Sequence, residues 1–258
     1  MQYHIYALIL TAIIFVFLFL LLLLGKKIGL KDIEQEDQRT KVGITQVEGA
    51  IFALLGLLIA FTFYGASQRY DARRQFIVNE TNAISTAYLR IDLLPSAFQP
   101  QMRDLFKEYA TARLDVNQLL PNIQASEIQM EHANQLQDKI WQIAVAANQN
   151  APVPLVAVIV LPALNSMFDI ATAHNVSLIT HPPITIYFTL LILLGCTSFF
   201  VGYGLAGSKK TNWLHGIGYS FIMVAVFYVI LDFEFPRAGF INVKYFDKPM
   251  IELIQKMS

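Results

Sequence analysis

Four long apolar stretches divide the chain, and polar segments of very different lengths separate them. At a rise of about 1.5 Å per residue, each stretch is long enough to cross the roughly 30 Å hydrocarbon core of a bilayer as a helix. Lipid offers no water to backbone amides and carbonyls, so these segments are predicted to be helices rather than strands. The predicted spans cover residues 5–24, 49–66, 184–204 and 213–231.

The polar segment between the second and third spans is much longer than the other two, and its apolar residues recur at helical spacing. Pro95, Pro100 and Pro121 interrupt this pattern and separate successive helices. The sequence therefore predicts an all-α integral membrane protein in which two transmembrane hairpins flank a helical extramembrane domain. Its predicted parts are a first hairpin (1–66), the extramembrane domain (67–182), a second hairpin (183–232) and a C-terminal tail (233–258).

The positions of glycine and proline predict two further features of the helices. No glycine or proline lies between Ala66 and Tyr70, so the second span is expected to continue as a helix beyond the lipid. The apolar run Val153–Leu164 contains Pro154 and Pro162 and is too short to span a bilayer. It is predicted to be a helix buried in the domain or lying against the membrane.

Composition and charge narrow the class of protein. Hydrophobic residues make up 55% of the chain and charged residues only 15%, whereas soluble domains carry about a quarter charged residues. The 19 basic and 19 acidic residues balance, so no basic surface for nucleic acid is indicated. The first apolar run ends in Gly25-Lys26-Lys27, which indicates a retained span rather than a cleaved signal peptide. The protein is predicted to be located in the cell membrane and to cross it several times.

Basic residues near the span ends leave the orientation open. The two short loops, one of which holds Lys209 and Lys210, carry seven basic residues, against six close to the span ends on the opposite side. The positive-inside rule therefore gives only a slight preference for an outside N-terminus.

Enzymatic chemistry has no evident location in the sequence. The string Gly202–Gly207 matches G-x-G-x-x-G, but a membrane helix precedes it where a dinucleotide site needs a strand, so glycines easing a helix end are the better interpretation. His174 and His181 have no carboxylate three or four residues away, which favours solvated or interfacial roles. Among histidine, lysine, arginine and carboxylate side chains, only His215 lies within the predicted spans. We therefore expect no enzyme, no cofactor and no proton-coupled transporter.

The second span carries two stripes. Small residues form one stripe, consisting of Gly49, Ala53, Gly56 and Ala60. Bulkier residues dominate the stripe beside it, consisting of Glu48, Phe52, Leu55, Ile59, Phe63, Ala66, Tyr70 and Arg73. One interpretation is ordinary helix packing on one side and lipid on the other. The other is that the small residues pack subunits together while the bulky stripe lines a hydrophobic gate.

Three arginines follow this span, and they also have two possible interpretations. In a channel, Arg69, Arg73 and Arg74 would lie at the pore mouth and favour anions. They are equally consistent with anchors at the membrane surface.

Several short segments resemble bestrophin channels in their order and spacing. Phe52–Gly56, followed by an apolar helix and Arg69–Arg74, is similar to the second transmembrane helix of that family. His181–Ile184 and Tyr203–Leu205 resemble the start and end of the next helix. Leu231–Gly239 is similar to the acidic, proline-containing segment after the last helix. The resemblance covers roughly residues 49–243 and is closer still to a bacterial bestrophin-like family long known only as a domain of unknown function.

The resemblance implies a homopentamer around a central pore lined by the second span, with small ions as its cargo. Phe52, Leu55 and Ile59 would form the narrow neck. Animal bestrophins conduct anions and bind calcium near the acidic segment, of which Asp232 and Glu234 remain here, so a metal site is left undecided. The family places its large domain and both termini in the cytoplasm, and the bacterial relatives imply an inner-membrane location.

A different class of function also fits the sequence. A non-conducting membrane scaffold or sensor, whose helical domain binds a partner protein, needs the same continuous helix from lipid into water. The oligomeric state distinguishes the two hypotheses, because a monomer or dimer in detergent favours the scaffold.

Overall fold

The computed structural model describes residues 2–32, 38–150, 156–207 and 213–257, and every regular element within them is helical. This confirms the predicted all-α class. The helices are α1 (Gln2–Asp32), α2 (Gln38–Leu89), α3 (Gln99–Gln118), α4 (Ile123–Gln149), α5 (Leu161–Ile179), α6 (Ile184–Gly204), α7 (Trp213–Glu234) and α8 (Lys248–Lys256). Val153, Pro154 and the predicted basic turn at Lys209 and Lys210 lie outside the described residues.

The chain divides into two compact units. We call Met1–Gln68 with His181–Phe235 the membrane unit, and Arg69–Thr180 with Pro236–Ser258 the extramembrane unit. In the described residues, four helices are long and apolar enough to cross a membrane, which confirms the four predicted spans. The expected continuation of the second span is also confirmed, because α2 runs unbroken from Gln38 to Leu89.

The membrane unit is held by apolar packing among its helices, since burial of complementary side chains is what joins helices in lipid. Its core has members on all four helices, namely Ile14, Leu18, Leu55, Ala66, Leu190, Leu194, Val224, Phe227 and Ile230. Glycines let α1 and α6 approach closely. A Cβ atom at Gly202 would collide with the backbone of Leu22, and one at Gly25 would collide with the carbonyl of Phe199. Gly202 thus serves close packing between two helices, whereas the sequence had predicted that it eases the end of a helix.

The extramembrane unit is built on the pair α3 and α4. The predicted breaks at Pro95, Pro100 and Pro121 separate α2, α3 and α4, with Pro100 in the first turn of α3. The side chain of Asn122 caps α4 by accepting a hydrogen bond from the Ala125 amide at 3.2 Å. The core beneath them contains Ile84, Phe106, Tyr109, Leu136, Ile140, Leu164 and Met167.

Two shorter segments complete this unit. Val156–Val160 forms a π-helical turn before α5, and Val156 and Val160 are buried, so the apolar run predicted there is a core element. After Pro236, the guanidinium of Arg237 donates to both oxygens of Asp247 at 2.6 and 2.8 Å. This buried, bidentate pair fixes the entry to α8, whose Met250 packs into the core.

Candidate functional site

The bulky stripe of α2 faces inward within the membrane unit around Leu55 and Ala66, although Phe63 is 40% exposed. Leu55 is only 2% exposed and Ala66 is fully buried, while Phe52 and Ile59 are partly exposed. Thr62, on the same side, is buried and donates its hydroxyl to the Leu58 carbonyl at 2.7 Å. Leu55, the centre of the predicted neck, therefore packs in the core of its own unit.

The opposite side of α2 is exposed. Side chains advance by about 100° per residue in an α-helix, so Ala53, Leu57 and Tyr64 lie within roughly 20° of the direction opposite Leu55. All three are exposed, with Leu57 at 53% and Tyr64 at 63%. In a single protomer, this face of α2 covers nothing.

The two flanks of this exposed face differ in size. One flank carries the small residues Gly49, Gly56 and Ala60, and a Cβ atom added at either glycine would meet nothing within 4 Å. The other flank carries Leu54 and Phe61, which are 53% and 66% exposed. The predicted small-residue stripe is thus open in the protomer and available for packing against another helix.

The three arginines after the span have different environments. Arg73 is 3% exposed, and it donates to the carbonyls of Ser177 at 3.1 Å and Thr180 at 2.9 Å. These carbonyls belong to the C-terminal end of α5, where a cation is favoured by the unpaired carbonyls and the helix dipole. Arg73 therefore caps a helix, and its burial makes it unsuitable for an open pore mouth.

Arg74 and Arg69 remain accessible. Arg74 forms an ion pair with Asp71 at 3.0 Å, and its guanidinium lies 5.2 Å from the ring centre of Phe246. Arg69 is partly exposed. The positive charge of Arg74 is balanced locally, which weakens the anion bias that the arginine cluster had indicated.

The acidic pair near the end of α7 is used by protein contacts. Asp232 is 5% exposed and accepts a hydrogen bond from the Tyr228 hydroxyl at 3.2 Å. Glu234 is fully buried and lies 2.9 Å from Nδ1 of His181, whose ring stacks on Phe235. Among the described residues, no group of three or more histidine, cysteine or carboxylate side chains is arranged to hold a metal ion.

A buried ionic cluster in the extramembrane unit escaped the sequence analysis. One oxygen of Glu80, on α2, accepts from Nε of Arg113 on α3, and the other lies 2.5 Å from Nδ1 of His174 on α5. Arg113 also donates to Asn175 at 2.9 Å. Glu80 and His174 are fully buried, so the solvated role expected for His174 is wrong.

Charge explains how the Glu80 carboxylate is tolerated there. Burial alone would raise the pKa of this carboxyl, but the adjacent Arg113 guanidinium and the His174 hydrogen bond outweigh burial and lower the pKa to about 2. The pKa of Arg113 is raised by the same carboxylate although burial opposes it. Glu80 is therefore ionised throughout the physiological pH range.

A family model and several solved structures are similar to this chain. The profile of a family described as the Bestrophin-like domain matches residues 12–245. No curated protein matches the sequence significantly. A crystal structure of a bacterial bestrophin homologue from Klebsiella pneumoniae, in a single-site variant, superposes with a TM-score of 0.69 at 11% identity, covering 94% of this chain and 95% of that chain.

Other solved structures show a similar fold. A second variant of the Klebsiella pneumoniae homologue gives a TM-score of 0.67 at 12% identity, covering 94% of this chain and 98% of that one. A crystal structure described only as a membrane protein gives 0.68 at 11% identity, with 94% and 98% covered. At such low identity these likenesses establish a shared fold, and they confirm the predicted all-α, bestrophin-like fold with four transmembrane helices.

Proposed function

Because the chain belongs to the bestrophin-like family and is a multi-pass membrane protein, we propose that it is an ion channel rather than an enzyme. The proposed channel is a homo-oligomer, a pentamer by family resemblance, with a central pore lined by α2 in a bacterial inner membrane. The observation that carries this proposal is the exposed face of α2 opposite Leu55.

The direction of that face decides which residues line the proposed pore. In a symmetric ring, a pore-lining helix turns its core-packed side towards its own protomer and its open side towards the axis. The burial of Leu55 places the Phe52, Leu55 and Ile59 side of α2 against its own protomer. We therefore assign the lining to Ala53, Leu57 and Tyr64 instead.

Side-chain size along this face gives the proposed pore its profile. Ala53, near one end of the span, leaves the channel wide, whereas Leu57 and Tyr64 narrow it towards the end nearer the extramembrane unit. A ring of leucine side chains repels water from a narrow passage, which is how hydrophobic constrictions gate ion flow. The proposed gate is therefore at Leu57, and the Tyr64 hydroxyls lie about two helical turns further along α2.

The flanks of the face support ring closure. A rotationally symmetric ring of more than two copies needs a head-to-tail contact, in which two different surfaces of the same chain meet. Gly49, Gly56 and Ala60 form a shallow flank, and Leu54 and Phe61 form a prominent one. The prominent flank of one copy is proposed to pack on the shallow flank of the next.

Ion flux with paired substitutions tests this assignment. Leu57→Ala widens the proposed gate and is expected to raise the flux through channels in liposomes several-fold. Leu214→Ala, at a position that is 82% exposed on α7, is the matched control and is expected to leave the flux unchanged. Equal flux in the wild type and Leu57→Ala, both well folded, would remove Leu57 from the lining.

The scaffold hypothesis is tested by the same preparation. A monomer or dimer in detergent that yields no flux after reconstitution would favour a non-conducting scaffold that binds a partner through its extramembrane unit. A ring of several copies is the state that the channel requires.

A further inference from the structure

In the described part of the extramembrane unit, three buried polar atoms have no hydrogen-bond partner among the protein atoms. They are Nη2 of Arg113, Oδ1 of Asn117 and Nε2 of His174. These residues are only 1%, 4% and 0% exposed, so bulk solvent does not reach them. Buried polar groups in folded proteins are almost always paired, with protein atoms or with ordered water. The three atoms therefore call for a ligand.

The three residues belong to one cluster. Arg113 and His174 hold the two oxygens of the same Glu80 carboxylate. Asn117 lies one helical turn after Arg113 on α3, and its amide nitrogen donates to the Arg113 carbonyl at 3.2 Å. Two of the three unpaired atoms thus belong to side chains that hold Glu80, and the third belongs to a residue one helical turn away from Arg113 on α3.

The hydrogen-bonding roles of the three atoms follow from their partners. An ionised carboxylate only accepts hydrogen bonds, so Nδ1 of His174, 2.5 Å from Glu80, is the donor. In a neutral imidazole the other nitrogen, Nε2, then carries a lone pair and accepts. Oδ1 of Asn117 also accepts, because the amide nitrogen of that residue is the atom that donates to Arg113. Nη2 of Arg113 can only donate.

We propose that one ordered water molecule is bound here, accepting from Arg113 Nη2 and donating to His174 Nε2 and Asn117 Oδ1. Water fits this set because it can accept one hydrogen bond while donating two. Chloride cannot donate to the two acceptors, and a metal ion is repelled by the guanidinium. The proposal does not depend on ion conduction.

The bound water fixes the chemistry of His174. Glu80 on one side and the water on the other hold the ring as the neutral tautomer with its proton on Nδ1. The water also closes a hydrogen-bond network that joins α2, α3 and α5 through Glu80, Arg113 and His174. Within a low-dielectric core, such a network is rigid only when all its members are satisfied.

A density map of the full chain in lipid nanodiscs, at a resolution that shows ordered waters, tests the site. The expected result is a single peak about 2.7–3.2 Å from each of the three atoms. Absence of the peak in an otherwise water-resolved map, with these atoms paired directly to protein groups, overturns the proposal. An anomalous signal at the site after bromide replaces chloride also overturns it, in favour of an anion.

Variants and nitrogen spectroscopy give a second readout. Asn117→Leu removes one acceptor and is expected to abolish the peak. Gln137→Leu, which removes an amide that pairs with Tyr109 at 3.0 Å, is expected to retain it. In ¹⁵N-histidine spectra of the wild-type protein in bilayers, His174 is expected to show the neutral Nδ1–H tautomer. An imidazolium or an Nε2–H tautomer overturns the proposal even if Asn117→Leu does not fold.

Discussion

Glu80 is a fully buried carboxylate that joins three helices of the extramembrane unit. Its charge is compensated by Arg113, and removal of one partner leaves the other charge buried and unpaired. Such losses are larger than the net contribution of the pair itself, since the remaining ion keeps its full desolvation penalty.

Glu80→Gln is therefore expected to lower the free energy of unfolding by about 3–5 kcal/mol. Thermal and denaturant unfolding of the detergent-solubilised protein, followed by circular dichroism, would measure this change. The control is Glu252→Gln, because Glu252 is exposed and its contact with Lys248 is 3.8 Å long. The control is expected to change stability by no more than about 0.5 kcal/mol. Equal effects of the two substitutions would contradict the role given to Glu80.

The lowered pKa of Glu80 predicts a specific loss of stability in acid. The carboxyl titrates near 4.5 when unfolded and near 2 when folded, so the folded state binds this proton less readily. The contribution of Glu80 is complete above pH 4.5 and is lost as the pH falls towards 2. The difference in melting temperature between the wild type and Glu80→Gln should shrink over this range. A difference that stays constant with pH would show that another group governs the acid response.

At the scale of elements, close packing of α1 and α6 depends on glycine. Gly202 has no space for a Cβ atom because the Leu22 backbone lies against it, whereas Gly204, on the same helix, faces open space. Gly202→Ala is expected to destabilise by about 1–3 kcal/mol through overpacking, and Gly204→Ala is expected to have little effect. Melting temperatures in detergent distinguish them. Similar melting temperatures for the two variants would mean that α1 and α6 do not approach this closely.

The shallow flank of α2 gives a matching prediction for assembly. Gly56→Leu should leave the protomer folded, since nothing lies within 4 Å of a Cβ atom there, but it should obstruct the neighbouring copy. Gly218→Leu on α7, where a Cβ atom also meets nothing, is the control. Native mass spectrometry should show fewer copies per particle for Gly56→Leu alone. An unchanged oligomer would place the subunit contact elsewhere.

The positions of the transmembrane spans could be predicted from the sequence, but the side of α2 that faces the core could not. The spans were found because lipid requires about 20 apolar residues in a row, a local property of the chain. The buried side of α2 was not found from the sequence. An apolar span has hydrophobic residues on every side, so its sequence alone does not show which side contacts the core. Leu55 and Leu57 are the same residue type two positions apart, yet only Leu55 is buried.

The ionic cluster was missed for a different reason. Glu80 and His174 are 94 residues apart, and Glu80 and Arg113 are 33 apart, so a search for partners within a helical turn could not find them. A signal was available in the helical spacing, because Glu80 falls on the same side of the helix as the apolar residues Ile77 and Ile84. A carboxylate on the buried side of a helix requires a partner.

At the scale of the whole molecule, the proposed function requires several copies of the chain to form a ring around an open path for ions. The membrane unit supplies the transmembrane helices and the exposed face of α2. The extramembrane unit contributes the buried network and the capping of α5 by Arg73. The proposed pore would form only where several copies of the chain meet.

The most direct measurement is ion flux into liposomes that contain the purified wild-type protein, under separate chloride and sodium gradients. We predict that protein assembled as a ring of several copies gives more flux than empty liposomes, and that the gradient producing the larger flux identifies the preferred ion. Absence of flux under both gradients, from folded protein and also from the widened Leu57→Ala variant, would contradict the channel.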